Sequence, residues 1–151
     1  MGTAAQPHVP AICTEARALG QLVIVAELIG SSPSSLNGLD WRARWDLRLA
    51  KIFATQIILV GEQDGEILAC ATGTYDRATA MGFVDLLAVV AASQGSGLGR
   101  EMLRGIIAHF QQMDAAYIHL DCLTTNEIAN RLYAAEGFDQ AMQSIRWIKK
   151  I

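Results

Sequence analysis

Residues 83–110 read FVDLLAVVAASQGSGLGREMLRGIIAHF. The apolar run Phe83–Val90 predicts a strand, and a small-residue linker follows at Ala91–Ser93. Next come Gln94, Gly95, Ser96, Gly97, Leu98, Gly99 and Arg100. Leu98, Met102, Ile106 and Phe110 then recur four apart, with Leu103 and Ile107 beside them. That spacing predicts one buried face of an amphipathic helix. The order is strand, glycine-rich turn, helix. The first N–H groups of a helix have no partner inside it and sit at the positive end of its dipole. They can hold a phosphate, and glycine lets the backbone approach it closely.

Two phosphate-binding motifs do not fit. The dinucleotide pattern G-x-G-x-x-G fails because Arg100 stands at its sixth position, and no Lys-Ser or Lys-Thr pair completes a P-loop. A plain flexible turn suits the same residues. A closer fit is Q-x-x-G-x-G, as Gln94, Gly97 and Gly99, after Leu87-Ala88-Val89. This resembles the acyl-CoA-binding motif of the GNAT superfamily of N-acetyltransferases. The resemblance implies that the CoA pyrophosphate sits on the turn, against Gln94, Gly95, Ser96, Gly97, Leu98, Gly99 and Arg100. It also implies that the strand splays from its neighbour, so that Leu87, Ala88 and Val89 offer backbone groups to the pantetheine arm and the acyl carbonyl. Many relatives carry Arg or Lys between the Gln and the first motif glycine; Gly95 and Ser96 stand there in this chain. Phosphate binding would then rest more on backbone N–H groups, with Arg100 or Arg104 assisting.

A second motif lies downstream. Asn126, Asn130 and Tyr133 follow at spacings of four and three and so share a helix face. Taken alone, Tyr133 suits an ordinary tyrosine at the edge of a core, its hydroxyl at the surface. The longer run Asn126-x-x-Ala129-x-x-Leu132-Tyr133-x-x-x-Gly137-Phe138 resembles the last-helix signature of GNAT proteins. By that resemblance the Tyr133 hydroxyl lies near the CoA sulfur, and Asn126 and Asn130 belong to the CoA-binding set. A phenol titrates at about 10 and a thiol at about 8.5, so a tyrosine can protonate a departing thiolate. Backbone N–H groups near Leu87–Val89 would polarise the acyl carbonyl. The superfamily often places an acidic base on the central strand, and Asp85 occupies that strand. Period-two alternation puts it on the face of Leu87 and Val89. A solvent-exposed or arginine-paired Asp85 suits the sequence too.

The remaining candidates are weaker. Tyr75, Trp41 and Trp45 can line an acceptor pocket, though core packing suits both tryptophans. The negative charges of Glu15, Asp46 and Asp85 favour a cationic acceptor. His119, central in a strand, reads as structural, and His109 as a solvent-facing helix residue. Cys122 has no base beside it in sequence and is not expected to be a nucleophile.

Length and composition agree with one globular domain over residues 1–151: 52% hydrophobic and 18% charged residues, with 12 basic against 15 acidic. No basic block exists, which argues against nucleic acid as a partner. Cys13, Cys70 and Cys122 stand apart with no metal-ligand spacing, so no metal is expected, and a reducing cytoplasm is. The apolar stretch Leu19–Ile29 is too short for a membrane span, and residues 1–7 do not read as a signal peptide. In order, the chain predicts a short strand at His8–Ile12 and a helix capped by Thr14 and running to about Ile29. A loop follows at residues 30–35, then a helix from Asp40 to about Phe53. Strands are expected at Ile57–Val60, Glu66–Tyr75, Met81–Val90 and Ala115–Asp121, with Asp64-Gly65 as a hairpin turn. Thr124-Thr125-Asn126-Glu127 matches a capping box before a helix ending near Glu136 and Gly137, and Phe138–Ile151 is expected to hold a short strand and a last one over about Gln143–Lys149.

The expected fold is therefore α/β, a mixed, mainly antiparallel sheet of six or seven strands flanked by about four helices. The resemblance implies acetyl transfer from acetyl-CoA, as co-substrate, to a small-molecule or protein amine by direct attack in a ternary complex. An antibiotic acetyltransferase such as an aminoglycoside enzyme, or an acyl-CoA-binding module without catalysis, are the alternatives. No membrane partner is expected, and a homodimer is compatible with the reading.

Overall fold

The computed structural model describes residues 11–13, 45–149 and 151. The expected first helix, Glu15, the 30–35 loop, the Asp40 cap and Trp41 lie outside the described residues. The chain forms two compact units, one ending at Asp121 and the other starting at Cys122.

The first unit holds a five-stranded sheet in sequence order: β1 (Ala11–Cys13), β2 (Ile57–Gln63), β3 (Glu66–Asp76), β4 (Met81–Val89) and β5 (Tyr117–Leu120). Neighbours are antiparallel except β4 and β5, which run parallel. Two-residue turns join antiparallel strands readily, and Asp64-Gly65 does so between β2 and β3. Both residues take positive φ, 54° and 81°, as a primed hairpin turn requires. A parallel pair needs a long crossover, and helix α2 (Leu98–Gln112) supplies it between β4 and β5.

One sheet face packs on helix α1 (Trp45–Thr55), whose Ile52 joins Ile58, Val60, Ile67, Cys70 and Ala88 in a buried cluster. Most of the expected α2 stripe is buried, Leu98, Met102, Leu103, Ile106 and Phe110, whereas Ile107 is only half-buried. Phe110 is fully buried because the sheet beneath it has no side chains in the way. A Cβ at Gly82 would lie 2.7 Å from its ring, and one at Gly73 would meet the same ring at 2.9 Å. No helix among the described residues is long and apolar enough to cross a membrane.

The second unit contains helix α3 (Glu127–Ala135). Its end matches the sequence. Gly137, at φ 87°, donates to Ala134 O at 3.1 Å, and Phe138 donates to Tyr133 O at 3.0 Å. These are the two bonds of a Schellman terminus. Its start does not match. The cap is Asn126, whose Oδ1 accepts from Ala129 N at 3.3 Å, so no Thr124 capping box forms. Asn is a better cap than Thr, and choosing it shifts the helix start two residues along.

The strand count also needs correction. The described residues give five strands in place of six or seven, and three α-helices, the remaining expected helix lying outside them. The expected strand at Gln143–Lys149 is absent, since residues 139–149 have no regular structure. Alternating apolar residues make a strand only where a ladder partner satisfies the backbone. Here Ile145 and Trp147 are 80% and 89% exposed.

Candidate functional site

The site in the first unit begins where β4 loses its neighbours. β4 pairs with β5 only from Met81 to Val84, against Tyr117 to Leu120. From Leu86 to Val89 its only ladder partner among the described residues is β3. The register with β3 also slips at this point. Gly73 faces Val84 and Thr72 faces Leu86, so Asp85 is the extra residue of a β-bulge. Bulges re-aim side chains. The Asp85 carboxylate accepts a hydrogen bond from Gln56 Nε2 at 2.7 Å, at the joint between α1 and β2. Leu86 and Ala88 pack on the α1 cluster, whereas Val89 lies beside Gly99 of α2. The bulge thus overturns the expectation that Asp85 shares a face with Leu87 and Val89. Uninterrupted period two holds only in an unbroken ladder.

Beyond β4 the turn has little side chain. Ala91–Ser93 form one 3₁₀ turn. Gly95 and Gly97 take φ of 81° and 91°, and a Cβ at either would meet no atom within 4 Å. Glycine is needed there for backbone conformation, not for room. Gly97 caps α2 without a side-chain hydrogen bond. The cap residue therefore offers no side-chain acceptor to the first N–H groups of α2. Gln94 Nε2 donates to Val89 O at 3.2 Å and the Ser96 hydroxyl donates to Ser93 O, which ties the turn back to the strand end. The side chains of Ala88 and Leu98 are in the core, so these two residues offer only backbone. Together these features fit a phosphate group: an uncapped helix start, two left-handed glycines and open space around them.

In the second unit, Asn130 Nδ2 donates to Leu123 O at 2.8 Å and to Asn126 O at 2.9 Å. Both asparagines thus brace the segment that leads into α3. Tyr133, half-buried, meets Phe138 edge to face with ring centroids 6.1 Å apart. Burial, with the nearby Cys122 thiol, raises the Tyr133 phenol above its ordinary value, so it holds its proton at neutral pH. Burial also raises the Cys122 thiol, which disfavours the nucleophilic thiolate.

The other candidates separate. His119 is exposed on β5 and stacks against Phe83 at 4.9 Å. His109 is half-buried rather than solvent-facing, with a buried Nδ1 that has no partner among the described residues. Tyr75 is half-buried near the far end of β3 from Ala69, where the β4 glycine turn begins. Trp45 opens α1. The residue that sequence missed is Gln56. Its only trace was a polar side chain between a helix and an apolar strand.

Residues 28–138 match the Acetyltransferase (GNAT) family, and the chain belongs to that family. No curated protein matches the chain. Among solved structures, the chain is similar to the apo aminoglycoside antibiotic 6'-N-acetyltransferase AAC(6')-IG from Acinetobacter haemolyticus. The identity is 20%, the TM-score 0.70, and 94% of this chain and 97% of that one are covered. A transcriptional regulator from Bacillus halodurans C-125 aligns at 14% identity and TM-score 0.71, over 93% of this chain and 99% of that one. AAC(6')-Iy, in complex with the bisubstrate analogue CoA-S-monomethyl-acetylneamine, aligns at 13% identity and TM-score 0.69, over 88% and 94%. At such identities the likeness is one of fold, an α/β fold with a mixed sheet and helices.

Proposed function

We propose that this protein transfers an acetyl group from acetyl-CoA to a primary amine by direct attack in a ternary complex. Family membership supports acyl transfer. The observation that carries the finer reading is the course of β4. It leaves β5 after Val84, runs on to Val89 and feeds the uncapped start of α2. In this reading the N–H groups around Gly97, Leu98, Gly99 and Arg100 hold the pyrophosphate. Released backbone at Leu87–Val89 binds the pantetheine arm and polarises the acyl carbonyl. Acetyl-CoA supplies the thioester that the amine attacks. Asp85 takes the proton from the amine, and Tyr133 gives one to the departing sulfur. Gln94 and Ser96 fix the turn, and Asn126 and Asn130 serve by bracing the helix that carries Tyr133. The acceptor is a small cationic amine or a protein amine.

The test is CoA release across a panel of primary amines, including polyamines, lysine peptides and aminoglycosides. Acetyl-CoA binding without turnover would make this an acyl-CoA-binding module. The role of Asp85 is read from Asp85→Asn with the best acceptor. kcat/KM should fall near neutral pH and partly recover as pH rises and free amine accumulates. An unchanged profile would give the proton to water or a backbone carbonyl.

A further inference from the structure

The sheet ladder does not fix Asp85. Asp85 is the extra residue of the bulge, without an opposite on β3, and it lies past the last residue of β4 that pairs with β5. A carboxylate that must meet an amine in one geometry needs a second group to fix it. The Gln56 amide does so, with Nε2 at 2.7 Å from Oδ2 across 29 residues of sequence. Gln56 is itself fixed. It is the single residue between α1 and β2, its N–H closes the last turn of α1 on Ile52 O at 2.9 Å, and Ile52 and Ile58 on either side are buried. The amide has one orientation against a carboxylate, because turning it would set carbonyl against carboxylate. That orientation leaves Gln56 Oε1 buried with no partner among the described residues. A buried acceptor without a donor is destabilising. A site selected only for stability would hold an apolar side chain there.

We propose that Gln56 is the positioning residue for Asp85, binding one carboxylate oxygen so that the other is presented to the amine. The inference rests on the reading of Asp85 as base and identifies what aims it. The step is simple: the amine nitrogen gives its proton to Asp85 Oδ1 as the C–N bond forms and the C–S bond breaks, while Gln56 keeps its protons.

The test is a double-mutant cycle in the full chain with acetyl-CoA and the most active amine of the panel. Gln56→Met keeps side-chain length and removes both the donor and the stranded acceptor. Three results are expected together. kcat falls roughly 10- to 100-fold, the range for losing a group that orients a reacting one. The melting temperature stays level or rises, and the acetyl-CoA dissociation constant is unchanged. Adding Gln56→Met to Asp85→Asn causes no further loss, because residues that act as a unit are not additive. If Asp85→Asn is impaired but Gln56→Met is fully active, or the two losses multiply, the positioning role is wrong and the base survives. If Asp85→Asn is fully active, or the wild type turns over no amine, the reading of Asp85 falls and this one with it.

Discussion

Two helices in this chain begin in opposite ways. α2 starts on Gly97, in a left-handed conformation, with no side chain to cap it. α3 starts on Asn126, whose side chain accepts from Ala129 N, and ends on a complete Schellman turn at Gly137 and Phe138. A capped helix has spent its terminal groups on itself. An uncapped one keeps them for an outside acceptor, at the cost of its own stability. In the proposed function the two helices do different work: α2 would present backbone to a ligand, and α3 would be a platform for one side chain, Tyr133.

The most severe test of the platform is Tyr133→Phe. It keeps the ring and its edge contact with Phe138 and removes only the hydroxyl. We expect kcat to fall roughly 10²–10⁴-fold with acetyl-CoA affinity little changed. Full activity would make Tyr133 a packing residue and erase the distinction between the helices.

The contrast between closed core and open site can also be read from the cysteines. Cys122 is only partly buried, whereas Cys70 is fully buried in the α1 cluster and burial pushes its thiol up to about 12. The folded protein then keeps a proton that the unfolded chain loses near pH 9. The stabilisation from this group is fully present below pH 9 and is lost as pH rises towards 12. It amounts to at most about 4 kcal/mol over that window. Urea unfolding of the wild type should show this decline, and Cys70→Ala should flatten it while lowering stability at pH 7. An unaltered slope in the variant would mean that other groups cause the alkaline loss.

How far these features were legible in the sequence depends on how local they are. Asp64-Gly65, the four-residue stripe of α2 and the Gly137 stop are set by neighbours along the chain, and each was read correctly. The bulge at Asp85 depends on how Thr72 and Gly73 pair with β4, and alternation within β4 alone cannot show it. The bareness of Gly73 and Gly82 has a meaning only once Phe110 lies above them. Gln56 became visible only when a residue 29 positions away came within 2.7 Å. The strand expected at Gln143–Lys149 erred in the other direction, because alternation was present but no ladder was. The candidate residues were read from sequence as motifs at Gln94–Gly99 and Asn126–Phe138. The hydrogen bonds around them were not legible there.

The open start of α2 is tested by Gly97→Glu. Saturating acetyl-CoA should raise the melting temperature of the wild type, equivalent to about 2.7 kcal/mol at a hundredfold excess over Kd. The variant should lose that shift, since it puts a carboxylate where phosphate is expected. It also forces a side chain into φ 91°, which lowers its own baseline. Gly65→Ala is the control, with the same kind of strain at φ 81° in the β2–β3 turn. It should lower the baseline and keep the ligand shift. Equal shifts in all three proteins would remove the phosphate site.

The smallest expected effect belongs to the closed start of α3. Asn126→Ala removes the acceptor for Ala129 N and leaves the Asn126 carbonyl, which still accepts from Asn130 Nδ2. Loss of an N-cap side chain costs about 1 kcal/mol. The melting temperature should therefore drop by a few degrees. The shift caused by acetyl-CoA should stay at its wild-type size, because the group removed is spent inside the helix it caps. kcat should fall far less than in Tyr133→Phe, since the phenol is still present and Phe138 N still bonds Tyr133 O at the other end of α3. A ligand shift that vanished in Asn126→Ala would assign the asparagine to CoA itself. The capped helix would then be part of the binding surface, and the contrast with α2 would fail.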